Sequence, residues 1–170
     1  MSEYLKHRKF MLTGDMLEFS SNSLIGKLIR WKTGKDVNHT SLILRLNEFK
    51  DLKTRVFTLE SLGSGIELHL LSNRIKDFDG SVYWYALKEK YDKYRGQISS
   101  WGLKQIDVKY DYSSVFANLF GKISMDGRLY FCSEYVQSAY QRYGLIEDRK
   151  ACRPGEFGDY NLHYERVQIK

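Results

Sequence analysis

The order of its periodic segments constrains the fold of this chain most, because strand-like segments come first and helical spacing comes later. Segments with the alternation or the β-forming residues of strands lie at 14–20, 39–46, 55–61, 66–71 and 81–87, and a last one lies at 163–169. Helical spacing runs from Tyr91 to about Ile106 and appears again after Cys132. This order predicts an α+β fold with a mainly antiparallel sheet.

Two shorter helices are also predicted. Ser23 can cap the first, whose apolar side consists of Leu24, Ile25, Leu28, Ile29 and Trp31. The second passes through Phe116 and Leu119, after a loop at 109–114 that carries two tyrosines.

Length and composition predict one folded domain that spans residues 1–170. The 170 residues are enough for one core, and 42% of them are hydrophobic. The chain has one proline, no repeat and no low-complexity stretch that would mark a linker.

The N-terminus lacks the apolar region of a secretory signal, and no apolar run is long enough to cross a bilayer. We therefore expect a cytoplasmic protein, with a phage or viral enzyme released by other means as an open alternative. In that compartment the two cysteines, Cys132 and Cys152, are expected to be free thiols.

The net charge of +6 is spread along the chain and permits an anionic partner, such as a membrane surface, an acidic peptide or a nucleic acid. The sequence carries no RNP, zinc-finger or helix-turn-helix signature, so we expect no nucleic-acid partner. The oligomeric state is not indicated by any feature of the sequence.

The segment "GRLYFCSEYVQSAYQRYGL" (127–145) places Cys132 between an aromatic run and a stretch of helical spacing. This arrangement predicts that Cys132 lies in the first turn of a helix, where free amides and the helix dipole favour a thiolate. The backbone amides of Cys132 and Ser133 are then the expected donors to an oxyanion.

A cysteine nucleophile requires a base and a group that orients the base. His39 opens a strand at the rim of the predicted sheet, and Glu60 lies at the end of the next strand. If the two strands pair antiparallel, Glu60 lies close to His39 and can accept its N–H. His69, on the following strand, is the rival orienting residue.

The segments "GDMLEF", "SLIGKLIRWKTGKDVNHTSLIL", "TLESLGSGIEL", "YDYSSVF" and "FCSEYVQSAY" together resemble the permuted papain-like cysteine hydrolases of the NlpC-type superfamily, in the YiiX/YebB-like branch. The resemblance covers about residues 12–145. It implies a single-domain permuted papain-like fold with Cys132 as nucleophile, His39 as base and Glu60 as third polar residue. The implied activity is that of a peptidase, an amidase or a lipid acyl hydrolase, without a cofactor.

Several alternatives stay open. A related branch, the lecithin-retinol-acyltransferase-like enzymes, transfers acyl groups between lipids, and a catalytically silent binding module on the same fold is a further alternative. Tyr110 and Tyr112 either pack or line the pocket near the oxyanion.

Two other possibilities have less support. A metal site would need ligand spacings such as CxxC or HxxxH, which the sequence lacks, so we expect no metal. Cys152, with no base near it in sequence, is expected to be a bystander.

Overall fold

The computed structural model describes residues 3–62, 64–106, 126–147 and 152–170. The strands within these residues are β1 Met16–Ser21, β2 His39–Leu44, β3 Phe57–Leu62, β4 Gly65–Leu70, β5 Gly80–Tyr85 and β6 Val167–Gln168. The α-helices are α1 Glu3–His7, α2 Leu24–Thr33, α3 Leu71–Asp77, α4 Arg95–Lys104 and α5 Asp126–Gln141.

The six strands form one sheet in the order β4-β3-β2-β1-β5-β6, and every neighbouring pair is antiparallel. The sequence-based prediction of an α+β chain with a mainly antiparallel sheet is therefore confirmed at this level. The last strand is shorter than the predicted 163–169, since it retains Val167–Gln168 and one isolated bridge from His163 to Leu87.

Side chains alternate between the two faces of the sheet, and each face has its own core. On β1, Met16 belongs to the cluster that includes Val136 and Tyr140 of α5. Leu17, on the opposite face, joins a cluster with Leu71 of α3. Helices thus cover both faces, and α5 packs directly against β2 and β3.

A buried carboxylate joins β1 to its neighbours. Asp15 accepts hydrogen bonds from the Leu12 and Leu87 amides, from Trp84 Nε1 and from Arg95 Nη1, at 2.9, 3.0, 2.9 and 2.7 Å. The aspartate of the "GD" segment therefore organises the turn before β1, as its residue type suggests.

The expected position of Cys132 at a helix N-terminus is wrong. α5 begins at Asp126, six residues before Cys132, so the aromatic run that precedes Cys132 belongs to the helix as well. The dipole effect fades beyond the first turn, and amides inside a helix bond to carbonyls four residues earlier. The amides of Cys132 and Ser133 are thus not the free donors that the sequence suggested.

Three other differences concern helices. The sequence patterns did not indicate α1 or α3, and the helix expected from Tyr91 begins as a 3₁₀ segment, Glu89–Tyr94, before α4. The loop at 109–114 and the short helix through Phe116 and Leu119 lie outside the described residues.

Candidate active site

His39 is the first residue of β2, so its ring lies at the end of the sheet. Its partner on β1 is Phe19, whose ring centroid is 5.3 Å from the imidazole. The preceding residue, Asn38, donates its amide to the Phe19 carbonyl at 2.8 Å and accepts the Ser21 amide at 2.7 Å. These bonds fix the chain as it enters β2, and with it the position of the imidazole.

Glu60 contacts His39 from the neighbouring strand, with 2.9 Å between His39 Nε2 and Glu60 Oε2. The register sets Leu42 opposite Leu59, and one step further sets Ser41 opposite Glu60. Glu60 and His39 are therefore diagonal neighbours on one face of the sheet, within reach of long side chains. Since Glu60 occupies Nε2, the other ring nitrogen, Nδ1, is left for the thiol.

Arg74 of α3 binds the same carboxylate from the other side. Its Nε lies 2.9 Å from Oε1 and 3.2 Å from Oε2 of Glu60, which is fully buried. The guanidinium also lies over the rings of Phe19 and Phe78, at 5.2 and 5.0 Å from their centroids. Glu60 is thus held between two cationic partners in an aromatic environment.

Cys132 reaches this group from α5 and is 3% exposed. It forms a hydrogen bond with the His39 imidazole and is contacted by the amide and the hydroxyl of Thr40. Thr40 is fully buried on the face of β2 that α5 covers, and its Oγ1 has no hydrogen-bond partner in the described part of the chain. Thr40 is nevertheless close enough to the thiol to lower its pKa.

The pKa values of the three groups reflect these contacts. Burial opposes the charged form of each, but the Cys132 sulfur and the Glu60 carboxylate outweigh it at His39 and raise the pKa of that imidazole to about 10. Burial likewise raises the pKa of the Cys132 thiol, yet His39 and Thr40 lower it overall. His39 and Arg74 hold the pKa of Glu60 at about 2 against the effect of burial.

These shifts favour a row of alternating charges, in which a thiolate, an imidazolium, a carboxylate and a guanidinium follow one another. Each charge has an opposite charge beside it, so the buried site can hold Cys132 ionised near neutral pH. Such a thiolate is a nucleophile, and the imidazolium beside it can donate a proton to a leaving group. Thiol-based acyl transfer requires both groups.

The remaining site predictions have different outcomes. Ser133 is fully buried within α5, and Tyr110 and Tyr112 lie outside the described residues. His69 faces Glu67 on its own strand, with 2.9 Å between Nε2 and Oε2, so Glu60 rather than His69 is the partner of His39.

Cys152 differs from Cys132 although both thiols are buried. Burial, together with the nearby carboxylate of Glu156, raises the pKa of the Cys152 thiol to about 12. His163, another buried histidine, bonds Tyr140 at 3.1 Å, and burial lowers its pKa to about 3. Among the histidines that the structure describes, His39 is the one in contact with a thiol.

Sequence reasoning missed Arg74 and Thr40. The apolar pair Leu71 and Ile75, four residues apart, is the signal that could have revealed α3 and its basic residue beside the sheet. Thr40 was assigned to the opposite face from His39, which is correct for a strand. Its proximity to Cys132 becomes visible only when α5 packs on that face.

The fold and the site together define an α+β protein with a buried Cys-His-Glu cluster at one end of its antiparallel sheet. Among solved structures, the chain is similar to one described as the metalloprotein YiiX from Escherichia coli O157:H7. The TM-score is 0.57 at 21% identity, over 80% of this chain and 68% of the other. This likeness bears out the resemblance to the YiiX-like branch and, at that identity, shows the fold.

No protein-family profile matches the chain, and neither does any curated protein sequence. In the described ranges, no helix has both the length and the apolar character needed to span a membrane.

Proposed function

We propose that the protein is a cysteine hydrolase that cleaves amide or ester bonds through a thioacyl-enzyme. The observation that carries this proposal is the position of His39, whose imidazole contacts both the Cys132 thiol and the Glu60 carboxylate. Nucleophile, base and orienting group are the three parts that thiol-based acyl transfer needs.

In the first half of the reaction, the Cys132 thiolate attacks the carbonyl carbon of the substrate, and a carbon–sulfur bond forms. When the tetrahedral intermediate collapses, the bond to the amine or alcohol breaks, and the His39 imidazolium supplies the proton that the leaving group needs. The products of this half are a thioester on Cys132 and a neutral imidazole.

In the second half, neutral His39 removes a proton from water, and the resulting hydroxide attacks the thioester carbonyl. The carbon–sulfur bond breaks, the carboxylic acid leaves, and Cys132 returns as a thiolate beside the protonated imidazole. Glu60 stabilises that imidazolium and keeps Nδ1 directed at the sulfur, while Thr40 lowers the pKa of the thiol.

The proposed substrates are a peptide-like amide or the acyl group of a lipid, as in the family that the sequence resembles. Acyl transfer is the close alternative, since an acceptor hydroxyl or amine of a lipid can replace water in the second half. A silent binding module would keep the same fold without turnover.

The description of the E. coli protein as a metalloprotein raises the question of a metal at this site. Cys132, His39 and Glu60 are ligand types, but Glu60 contacts Nε2 and leaves Nδ1 to Cys132, so the sulfur and the carboxylate lie on opposite sides of the ring. No three His, Cys, Asp or Glu side chains in the described ranges converge on one point. The residues therefore do not fit a shared ion.

The test is turnover of a p-nitrophenyl ester, followed by intact-protein mass spectrometry for the acyl adduct. The wild type and a Cys152→Ala variant should hydrolyse the ester and carry the adduct, whereas Cys132→Ala should do neither. Added glycerol or a lysolipid separates the two reactions, because an acyltransferase forms a new ester where a hydrolase releases the acid.

A further inference from the structure

The second helix presents a large apolar face to solvent. Leu24 is 84% exposed, Ile25 52%, Leu28 43% and Trp31 81%. Positions 24, 28 and 31 follow helical spacing, so these side chains form one continuous surface, which we call the α2 face. Contiguous exposed apolar surface of this kind marks an interaction site.

The α2 face cannot turn inward, because the opposite side of the helix is already fixed. A Cβ added at Gly26 would lie 2.9 Å from both the Cβ and the carbonyl oxygen of Ser21, so α2 sits directly on the end of β1. Ile29 is buried on the same side, and Arg30 donates to the Ser21 carbonyl. The outward direction of Leu28 and Trp31 is therefore a property of the folded protein.

The surroundings of the α2 face are basic. Residues 24–35 contain no acidic residue, and Lys27 and Lys32 are basic residues of α2 itself. Arg30 donates to the Ser21 carbonyl on the inner side, and Lys35 lies 4.0 Å from Asp159. The first carboxylate that follows, Asp36, is 2.6 Å from Arg166 and is neutralised by it. A partner of this face must therefore offer both an apolar layer that can receive the exposed side chains and negative charge near the lysines.

We propose that α2 docks in the plane of an anionic lipid bilayer, with Leu24, Leu28 and Trp31 inserted at the headgroup boundary. Exposed tryptophan and leucine, bordered by lysines, are the composition of helices that lie on such interfaces. A second copy of this chain fits less well, because a two-fold interface through α2 would bring its lysines against the same lysines of the partner.

The α2 face is coupled to the candidate active site through its inner side. Arg30 Nη1 lies 3.4 Å from Oδ1 of Asn38, the residue that positions His39, and α2 ends at Thr33, six residues before His39. Docking would therefore hold the end of the sheet that carries the site near the lipid. The docking proposal itself does not depend on catalysis.

The experiment is flotation of the full chain with vesicles of phosphatidylcholine, with or without an equal share of phosphatidylglycerol. The wild type should bind the anionic vesicles and detach as salt is raised, since screening weakens the lysine contribution. A Leu28→Ser and Trp31→Ser double variant should bind at least about tenfold more weakly. The matched control is Phe49→Ser, because Phe49 is 60% exposed but follows the opposite end of β2.

A second pair of variants tests the charge. Lys27→Glu with Lys32→Glu should weaken binding by about tenfold or more, whereas Lys50→Glu with Lys90→Glu, which changes the net charge equally away from α2, should have a smaller effect. Equal losses in the two pairs would point to diffuse attraction and would overturn docking through α2.

A third measurement does not depend on whether the double variant folds. Dibrominated lipid in the anionic vesicles should quench Trp31, and Trp31→Phe should retain binding while losing most of the quenching. Absence of vesicle binding by the wild type would overturn the proposal. So would a wild-type dimer that the Leu28→Ser and Trp31→Ser changes dissociate, because a second copy would then cover the face. The rate of Cys132 alkylation should be the same in the wild type and in all these variants. A variant that loses vesicle binding but keeps this rate has lost docking and not the active site.

Discussion

Arg74 holds Glu60 through one nitrogen, with Nε at 2.9 Å from Oε1 and 3.2 Å from Oε2 of the buried carboxylate. A carboxylate with no exposed surface would otherwise be costly to ionise, because burial favours its neutral form. The guanidinium offsets that cost and so keeps Glu60 charged beside His39. Arg74 therefore supports the imidazolium indirectly, as a positioning residue that does not touch the thiol.

Replacement of Arg74 by methionine should raise the pKa of Glu60, since the carboxylate loses one of its two cationic partners. We expect kcat/KM for ester hydrolysis to fall on the order of tenfold, because the imidazolium is then less well stabilised. The acid limb of the pH–rate profile should move to higher pH. Arg74→Lys, which retains the charge, should recover much of the activity. Equal pH–rate profiles for Arg74→Met and Arg74→Lys would contradict the proposal that the charge of Arg74 keeps Glu60 ionised.

The two cysteines should differ in reactivity. The lowered pKa of Cys132 and the raised pKa of Cys152, about 12, predict that iodoacetamide labels Cys132 at least about tenfold faster near neutral pH. Labelling of Cys132 should be half-maximal below about pH 8.5, where an ordinary cysteine is half ionised.

Peptide mapping by mass spectrometry over a pH series measures both labelling rates. His39→Ala should remove the advantage of Cys132, because the imidazolium is the main group that lowers its pKa. Equal rates for the two thiols in the wild type would count against an activated nucleophile.

The stability of the protein should depend on the ionisation of Glu60. Its pKa falls from 4.5 to about 2 on folding, so its contribution is present above about pH 4.5 and is lost as the pH falls towards 2. A shift of that size corresponds to roughly 3 kcal/mol at most. Glu60→Gln should therefore be less stable than the wild type near neutral pH, and the difference should shrink towards pH 2.

Urea unfolding at several pH values gives both free energies of unfolding. Glu67→Gln, at a partly exposed position on the neighbouring strand, is the control and should follow the wild-type curve closely. If Glu60→Gln and the wild type stay separated by the same free energy down to pH 2, the carboxylate is not what stabilises the native state.

Asp15 should contribute to folding rather than to chemistry. Asp15→Ala leaves the Arg95 charge and the Trp84 N–H buried without their acceptor, so we expect a loss of about 3 kcal/mol or more in the free energy of unfolding. Asp92→Ala removes the exposed partner of the same arginine and should cost less than about 1 kcal/mol. Similar losses for the two variants would show that the buried hydrogen bonds of Asp15 stabilise the protein no more than the exposed ion pair of Asp92 does.

The sequence was sufficient to predict the contact between His39 and Glu60, because strand periodicity and hairpin pairing determine which residues become diagonal neighbours. It was not sufficient for Arg74, since α3 is a seven-residue helix whose position depends on packing against the far side of the sheet. The start of α5 was also missed, because an aromatic run before Cys132 fits a strand as well as a buried helix.

The α2 face shows another limit of periodicity. Helical spacing correctly grouped Leu24, Ile25, Leu28 and Trp31, which are all exposed, but it wrongly added Ile29, which is buried on the inner side of the helix. Spacing defines which residues share a side of a helix. Whether the sheet or an external partner covers that side depends on the tertiary structure, here on the close approach of Gly26 to Ser21.

The members of a catalytic unit should not act additively. Cys132→Ala should abolish hydrolysis, His39→Ala should be nearly as severe, and Glu60→Gln should be milder because an amide oxygen can still orient the imidazole. Cys132→Ala combined with Glu60→Gln should then be no worse than Cys132→Ala alone. Additive losses in the double variant would mean that the two residues work independently.

The most direct test is to locate the acyl group after brief exposure to a p-nitrophenyl ester, by acid quench and peptide mass mapping. The proposed function predicts one thioester on Cys132 in the wild type, its persistence in Cys152→Ala and its absence in Cys132→Ala, together with loss of turnover. An acyl group on another residue, or continued hydrolysis by Cys132→Ala, would contradict it.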